Sequence, residues 1–161
     1  MKKALITGSF DPVTLGHVDL VERACALFDE VHFVAFINPE KNYTFTKEKR
    51  IELMKIATSH LPGVVCGYDE GMVYEYVLKN SIDCIVKGAR CGADFEYEAK
   101  MAEFNREKSG VDTLILPSDP RYADFSSTRV REMLAKGEAI ENLVGKKVAQ
   151  AIKEAKYNTI K

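Results

Sequence analysis

The chain has 161 residues, of which 46% are hydrophobic and 29% are charged. These proportions favour one compact domain, covering residues 1–161, over a disordered chain. Its 23 basic residues are balanced by 24 acidic ones, so no overall positive field would draw the protein to nucleic acid or to an anionic membrane. The apolar runs are too short for a secretory signal or a membrane span, which favours a cytoplasmic protein.

Five short apolar segments rich in β-forming residues follow one another along the chain, at 4–7, 31–37, 64–66, 82–86 and 113–116. Segments with helical periodicity lie between and after them: one beginning near His17, then about 47–60, 73–79, 93–108, one capped by Ser126, and 144–157. This alternation predicts an α/β fold, a single-domain Rossmann-like doubly wound sheet of five parallel strands flanked by helices.

The four cysteines are far apart, with no CxxC pair and no histidine at metal-ligand spacing. The spacing indicates neither a zinc site nor a disulfide framework. We expect buried or half-buried thiols.

The first predicted strand runs into a loop that ends in Gly16 and His17. The loop is neither a dinucleotide fingerprint nor a P-loop. Gly16 would let the backbone approach a ligand. The positive end of the helix dipole would disfavour protonation of the His17 ring. A neutral ring could donate an N–H to a phosphate oxygen. Taken alone, a histidine near a helix N-terminus is more often an incidental surface or cap residue.

A second group of polar residues follows the fourth predicted strand. Lys87 and Arg90 could clamp phosphates, Arg90 through its planar fork and Lys87 as a point charge. The alternative is a solvated charge cluster at a helix start, where acidic residues such as Asp94 are expected anyway.

The third group is a helix start with three hydroxyl side chains, Ser126, Ser127 and Thr128, followed by Arg129 and Arg131. Free backbone N–H groups at such a start suit a triphosphate. A plain N-cap would account for one serine but not for all three hydroxyls.

Together the three groups resemble the motifs of a known family. The segment GSFDP with TLGH resembles the (T/H)xGH signature of the nucleotidylyltransferase superfamily, and FSSTRVR resembles its (I/F)SS(S/T)xxR signature. Residues 87–98 are similar to the RGxRxxxDFEYE block of phosphopantetheine adenylyltransferases, with Lys87 at the first arginine. Length and motif order match that family along the whole chain.

This resemblance implies transfer of AMP from ATP to 4'-phosphopantetheine, with Mg2+ as cofactor, in a cytoplasmic homohexamer. The implied ATP contacts are Ser9, Phe10, His17, Gly88, Ala89, Arg90, Glu98, Tyr122, Ala123, Asp124, Phe125, Ser126, Ser127 and Thr128. The implied acceptor contacts are Ser9, Lys41, Met72 and Lys87, and the implied catalytic residues are His17, Lys41 and Arg90. Without the resemblance, Lys41 would be an exposed loop lysine and Met72 a core methionine.

An acceptor phosphate with a second pKa of about 6 is largely dianionic near neutral pH, so it can attack ATP without a general base. Two alternatives stay open. One is a nucleotidylyltransferase that acts on nicotinate mononucleotide or glycerol phosphate, and the other is a non-catalytic nucleotide-binding module.

Overall fold

The structure is a computed structural model that describes residues 1–158, with side chains described through residue 155. Five strands form one sheet in which every neighbouring pair is parallel, in the order β3-β2-β1-β4-β5. The strands are β1 Lys3–Gly8, β2 Glu30–Phe36, β3 Val64–Asp69, β4 Cys84–Ala89 and β5 Thr113–Pro117. The predicted doubly wound parallel sheet is confirmed.

The helices connect the strands and follow the last one. They are α1 Leu15–Cys25, α2 Lys47–Ala57, α3 Val73–Asn80, α4 Gly92–Ser109, α5 Ser127–Ala135, α6 Glu141–Val144 and α7 Lys146–Asn158, with a 3-10 turn at Pro120–Tyr122. None of the helices within residues 1–158 has the length and apolar character needed to cross a membrane.

Some boundaries differ from the predictions. The first helix begins at Leu15 rather than near His17, because Thr14 caps it through its side chain. The strand predicted at 82–86 is Cys84–Ala89, so Lys87 lies within β4 rather than beyond it. The thiol of Cys91 is exposed, whereas those of Cys25, Cys66 and Cys84 are half-buried as expected.

The core lies on both faces of the sheet, since alternate residues of each central strand point to opposite sides. On one face Ala4 and Ile6 pack with residues of α1, α2, α5, α6 and α7. On the other, Leu5 packs with Val34, Ile85 and Val77 of α3. Being covered on both faces, the strands read as continuous apolar runs.

Strand order reverses at β1, which has β2 on one side and β4 on the other. In open parallel sheets the crevice beyond the carboxyl ends of the strands at such a reversal is where ligands bind. The β1–α1 loop and the end of β4 both open into that crevice.

Candidate active site

A cleft of about 370 Å3 occupies this crevice. It is lined by many of the residues predicted for the site: Phe10, His17, Lys87, Gly88, Arg90, Glu98, Tyr122, Phe125, Ser126 and Ser127. Other predicted residues do not line it: Ser9, Lys41, Met72, Ala89, Ala123, Asp124 and Thr128. The three motifs, from separate parts of the sequence, therefore meet at one cleft.

The β1–α1 loop folds back on its own strand. Phe10 has a left-handed φ of 46°, and its buried ring packs against Phe33 and lies edge-on to His17, with ring centroids 5.0 Å apart for the histidine. A Cβ on Gly8 would lie 2.8 Å from Cζ of Phe10, so a larger residue there would displace the Phe10 ring. Phe10 thus supports the histidine ring from the core.

His17 is fixed by a reciprocal capping interaction with Thr14. The backbone N–H of Thr14 donates to Nδ1 of His17 over 2.9 Å, and the His17 N–H donates to the Thr14 hydroxyl. Because Nδ1 accepts a hydrogen bond, the proton of the neutral ring must sit on Nε2. No hydrogen-bond partner of Nε2 is found within residues 1–158.

The charge state of His17 follows from its surroundings. Burial, with the nearby charges of Arg90 and Lys87, lowers the pKa of His17 from 6.5 to about 4. The ring is therefore neutral at physiological pH, as predicted, although desolvation is the leading cause rather than the helix dipole. It offers the cleft a neutral N–H donor on Nε2.

The loop is held from behind by contacts that span the chain. The Asp11 carboxylate accepts hydrogen bonds from the backbone N–H groups of Thr44 and Phe45, each over 2.9 Å. On the other side, Ser127 donates to the Pro12 carbonyl over 2.7 Å, and Arg131 donates to the Asp11 carbonyl over 2.8 Å. The first and third motifs are thereby joined directly.

Lys87 stands across the cleft and is largely desolvated. Its Nζ lies 3.7 Å from Oε2 of Glu98 and donates to the Thr7 carbonyl over 3.4 Å. Burial lowers the pKa of Lys87, and Glu98 partly opposes that shift. Oε2 of Glu98 is itself buried without a hydrogen bond among the described residues, so it remains an unused hydrogen-bond acceptor.

Arg90 lies at the more exposed mouth of the cleft. Its Nε donates to the Asp94 carboxylate over 3.2 Å, and Asp94 also accepts the Arg90 backbone N–H. This backbone hydrogen bond, with the guanidinium beside it, lowers the pKa of Asp94. Arg90 is half-exposed, so its outer nitrogens can reach an anion in the cleft.

The start of α5 closes the remaining side. The Ser126 side chain caps the helix by accepting from the Arg129 N–H over 3.1 Å, and the first-turn N–H groups of a helix lack intrahelical partners. Tyr122 and Phe125 stack edge-on with centroids 5.2 Å apart beside it. Opposite Lys87 and Arg90, this helix start suits a ligand with several phosphates.

The sequence analysis missed several lining residues. They are Ile6, Thr7, Asp19, Leu20, Arg23, Ser118 and Asp119, together with Gly8, Thr14, Gly16, Asp94 and Tyr97, which lie in its motifs but were not named as ATP or acceptor contacts. Leu20 lies three residues, about one helical turn, beyond His17 on α1, and that spacing was the available signal for it.

The acidic residues of the cleft are already paired with cations. The pairs are Asp19 with Arg23, Asp94 with Arg90, Glu98 with Lys87 and Asp119 with Arg121. Within residues 1–158, no group of three His, Cys, Asp or Glu side chains is arranged to hold a metal ion. The donor set therefore fits a Mg2+ ion that arrives with phosphate oxygens and water as its ligands.

Three of the four predicted acceptor contacts do not line the cleft. Lys41 is exposed in the loop between β2 and α2, and Met72 is 47% exposed at the start of α3 rather than in the core. Ser9 is also exposed, at the rim formed by the end of β1. Their roles stay predictions.

Comparison with known proteins decides the family. A cytidylyltransferase-like family model matches residues 5–133. The phosphopantetheine adenylyltransferase of Corynebacterium diphtheriae is 43% identical over 155 residues, which cover 96% of this chain and 98% of that protein. This chain belongs to the phosphopantetheine adenylyltransferase family. The motif resemblance is thereby confirmed, and the protein is a nucleotidyltransferase.

One solved structure has a fold similar to that of this member of the phosphopantetheine adenylyltransferase family. It is a protein of Vibrio parahaemolyticus provisionally assigned as a nicotinate-nucleotide adenylyltransferase, with a TM-score of 0.74 and 22% identity. The match covers 96% of this chain and 93% of that one. At this identity the likeness establishes the shared Rossmann-like architecture and nothing about the acceptor.

Proposed function

We propose that this protein transfers AMP from ATP to 4'-phosphopantetheine, giving 3'-dephospho-coenzyme A and pyrophosphate. The identity of the acceptor is supported by the relative from Corynebacterium diphtheriae. The chemistry is supported by one observation above all: a neutral His17 with its Nε2 proton at a cleft bordered by Lys87 and Arg90.

The acceptor phosphate attacks the α-phosphorus of ATP in line, with no covalent enzyme intermediate. His17 donates its Nε2 proton in a hydrogen bond to the α-phosphate as negative charge builds on the equatorial oxygens. A neutral donor held by Thr14 and Phe10 needs no reorganisation during the step, which is the condition for effective electrostatic stabilisation. Thr14 fixes the tautomer and Phe10 fixes the plane of the ring.

Lys87 holds and neutralises the acceptor phosphate, together with Ser9 and Lys41. The position of Lys87 on the cleft wall supports this role, because its ammonium group has three N–H donors and uses one of them on the Thr7 carbonyl. Lys41 reaches the acceptor from its exposed loop, which Asp11 ties to the Ser9 loop. Met72 contacts the pantetheine arm from the rim.

ATP occupies the side of the cleft formed by α4 and α5. Arg90 and the first turn of α5 bind the β- and γ-phosphates, and Glu98 contacts the nucleotide beside Lys87. The other ATP contacts are Ser9, Phe10, Gly88, Ala89, Tyr122, Ala123, Asp124, Phe125, Ser126, Ser127 and Thr128. The carbonyl of Ala123 already accepts a 3.5 Å hydrogen bond from Arg90, which supports a shared role for these two segments.

ATP is used as its Mg2+ complex, and the bound ion would neutralise charge on the phosphate oxygens. The cleft carboxylates, each paired with a lysine or an arginine, would contact it through water rather than directly.

We further propose that the protein is cytoplasmic and forms a homohexamer. Large apolar side chains exposed on β3 and α4, among them Tyr68 and Phe95, support self-association, and light scattering after size-exclusion chromatography tests it.

The decisive test is pyrophosphate release by the purified protein with ATP, Mg2+ and each of three acceptors. Release with 4'-phosphopantetheine, and not with nicotinate mononucleotide or glycerol 3-phosphate, is the expected result. Release with either of the other two would keep the transfer chemistry and change the acceptor. No release with any of them would favour a nucleotide-binding module.

A further inference from the structure

Arg50 is a buried cation without an acidic partner. It lies on α2 and is 1% exposed, yet within residues 1–158 no carboxylate pairs with it, and its Nε has no hydrogen-bond acceptor. Burying a charge is costly unless neighbouring groups compensate it. Such a residue needs an explanation beyond packing.

Its contacts join two segments of the chain. Nη1 donates to the carbonyl of Ser9 over 2.9 Å, and the guanidinium stacks on the ring of Tyr43, with Cζ 4.0 Å from the centroid. The Tyr43 hydroxyl in turn accepts the Asn38 backbone N–H over 2.9 Å. Arg50 thus connects the Ser9 turn with the loop that carries Lys41.

These are the two segments to which the proposed function assigns the acceptor phosphate. We propose that Arg50 is a positioning residue for that phosphate: it sets Ser9 and the Lys41 loop at a fixed separation and holds an uncompensated positive charge beneath them. The inference rests on the proposed function. A bound phosphate would provide the countercharge that Arg50 lacks, and in a poorly solvated site such a field is weakly screened.

Arg50 contacts neither reacting group. Ser9 is assigned to both substrates but the Lys41 loop to the acceptor alone, so the role of Arg50 should appear in acceptor binding more strongly than in ATP binding. Arg50→Met removes the charge and the stacking while keeping an apolar chain of similar length. Arg50→Lys keeps the charge but loses the planar fork and its stacking on Tyr43. Lys55→Met is the matched control, because it removes a charge from an exposed position on the same helix.

The experiment measures the KM for 4'-phosphopantetheine, the Kd for ATP without acceptor, and the melting temperature of each variant. We expect the acceptor KM to rise roughly tenfold for Arg50→Met and roughly threefold for Arg50→Lys. The Kd for ATP of both variants should stay within about twofold of wild type. All constants of Lys55→Met should also stay within about twofold of wild type. An unchanged acceptor KM with a lowered melting temperature would make Arg50 purely structural and overturn the proposal. So would a parallel loss of ATP affinity.

If Arg50→Met does not fold, Arg50→Lys decides by the same criteria, because it retains the cation. Failure of the proposed function would look different, since the wild-type protein itself would then release no pyrophosphate with this acceptor. Competition by inorganic phosphate against the acceptor gives a second readout. Its inhibition constant should rise with the acceptor KM across the variants.

Discussion

The two sides of the cleft are built differently. On the β1–α1 side, His17 is held by uncharged contacts: a backbone hydrogen bond from Thr14 and the ring of Phe10. On the β4–α4 side, Lys87 and Arg90 are held by ion pairs with Glu98 and Asp94. The first side is preorganised, whereas on the second the phosphates of the proposed mechanism would have to compete with the carboxylates or bind beside them. The proposed mechanism thus assigns chemistry to the uncharged contacts and binding to the ion-paired residues.

The strongest test of this division is His17→Ala. If the preorganised side acts in the transition state, kcat should fall by roughly 100- to 1000-fold with little change in the Kd for ATP. Single-turnover kinetics and binding of ATP alone separate the two quantities. The control is His60→Ala, which removes an exposed imidazole paired with Glu22. Near-full kcat in His17→Ala would exclude the histidine from the mechanism.

Arg90→Met probes the ion-paired side at the mouth of the cleft. Loss of a charge-assisted contact to the phosphates should lower kcat/KM for ATP by roughly ten- to a hundredfold, mainly through KM. Arg106→Met, at an exposed arginine near the other end of α4 that pairs with Asp112, should behave as wild type. An effect on kcat as large as that of His17→Ala would mean that the two sides do not divide the work as described.

Glu98→Gln tests the buried ion pair through pH. Burial lowers the pKa of Lys87 and Glu98 partly restores it, so removal of the carboxylate charge should lower that pKa further. The ammonium form binds the acceptor phosphate and is lost as pH rises through the pKa. In a plot of 1/KM for the acceptor against pH, the basic limb should therefore move to lower pH. The acid limb is set by the acceptor phosphate, with its pKa of about 6, and should stay in place. An unmoved basic limb would mean that Glu98 does not influence the pKa of the group that binds the acceptor.

The contrast between the two sides also shows how far the sequence could lead. All five strands were predicted from short apolar runs between turn signals, and the longer helices from the spacing of their apolar residues. The 3-10 turn at Pro120–Tyr122 and the four-residue α6 are too short to show such a spacing, and neither was predicted. The cleft residues that belong to local motifs, such as His17 and Arg90, were found because the motif carries them.

The contacts that position those residues could not be found in this way. Asp11 is bound to residues 33 and 34 positions away, and Arg131 reaches the Asp11 carbonyl from 120 positions away. Arg50 lies 41 positions from Ser9. A long-range pair leaves no period or spacing in one sequence, and only the folded chain shows which residues meet. Motifs reveal groups that contact ligands, whereas the supporting residues require the structure.

Ser127→Ala examines one of these supporting contacts and should have the smallest effect. The hydroxyl donates to the Pro12 carbonyl over 2.7 Å and so joins α5 to the β1–α1 loop. Its loss should lower the free energy of unfolding by about 1 kcal/mol, measured by urea denaturation, and should leave kcat within roughly threefold, because Arg131 still joins α5 to the Asp11 carbonyl. The double variant Ser127→Ala/Arg131→Met should then lose more kcat than the two single changes together predict. Strictly additive losses would mean that the two contacts act independently, and that the preorganisation of His17 depends on Thr14 and Phe10 rather than on the docking of α5.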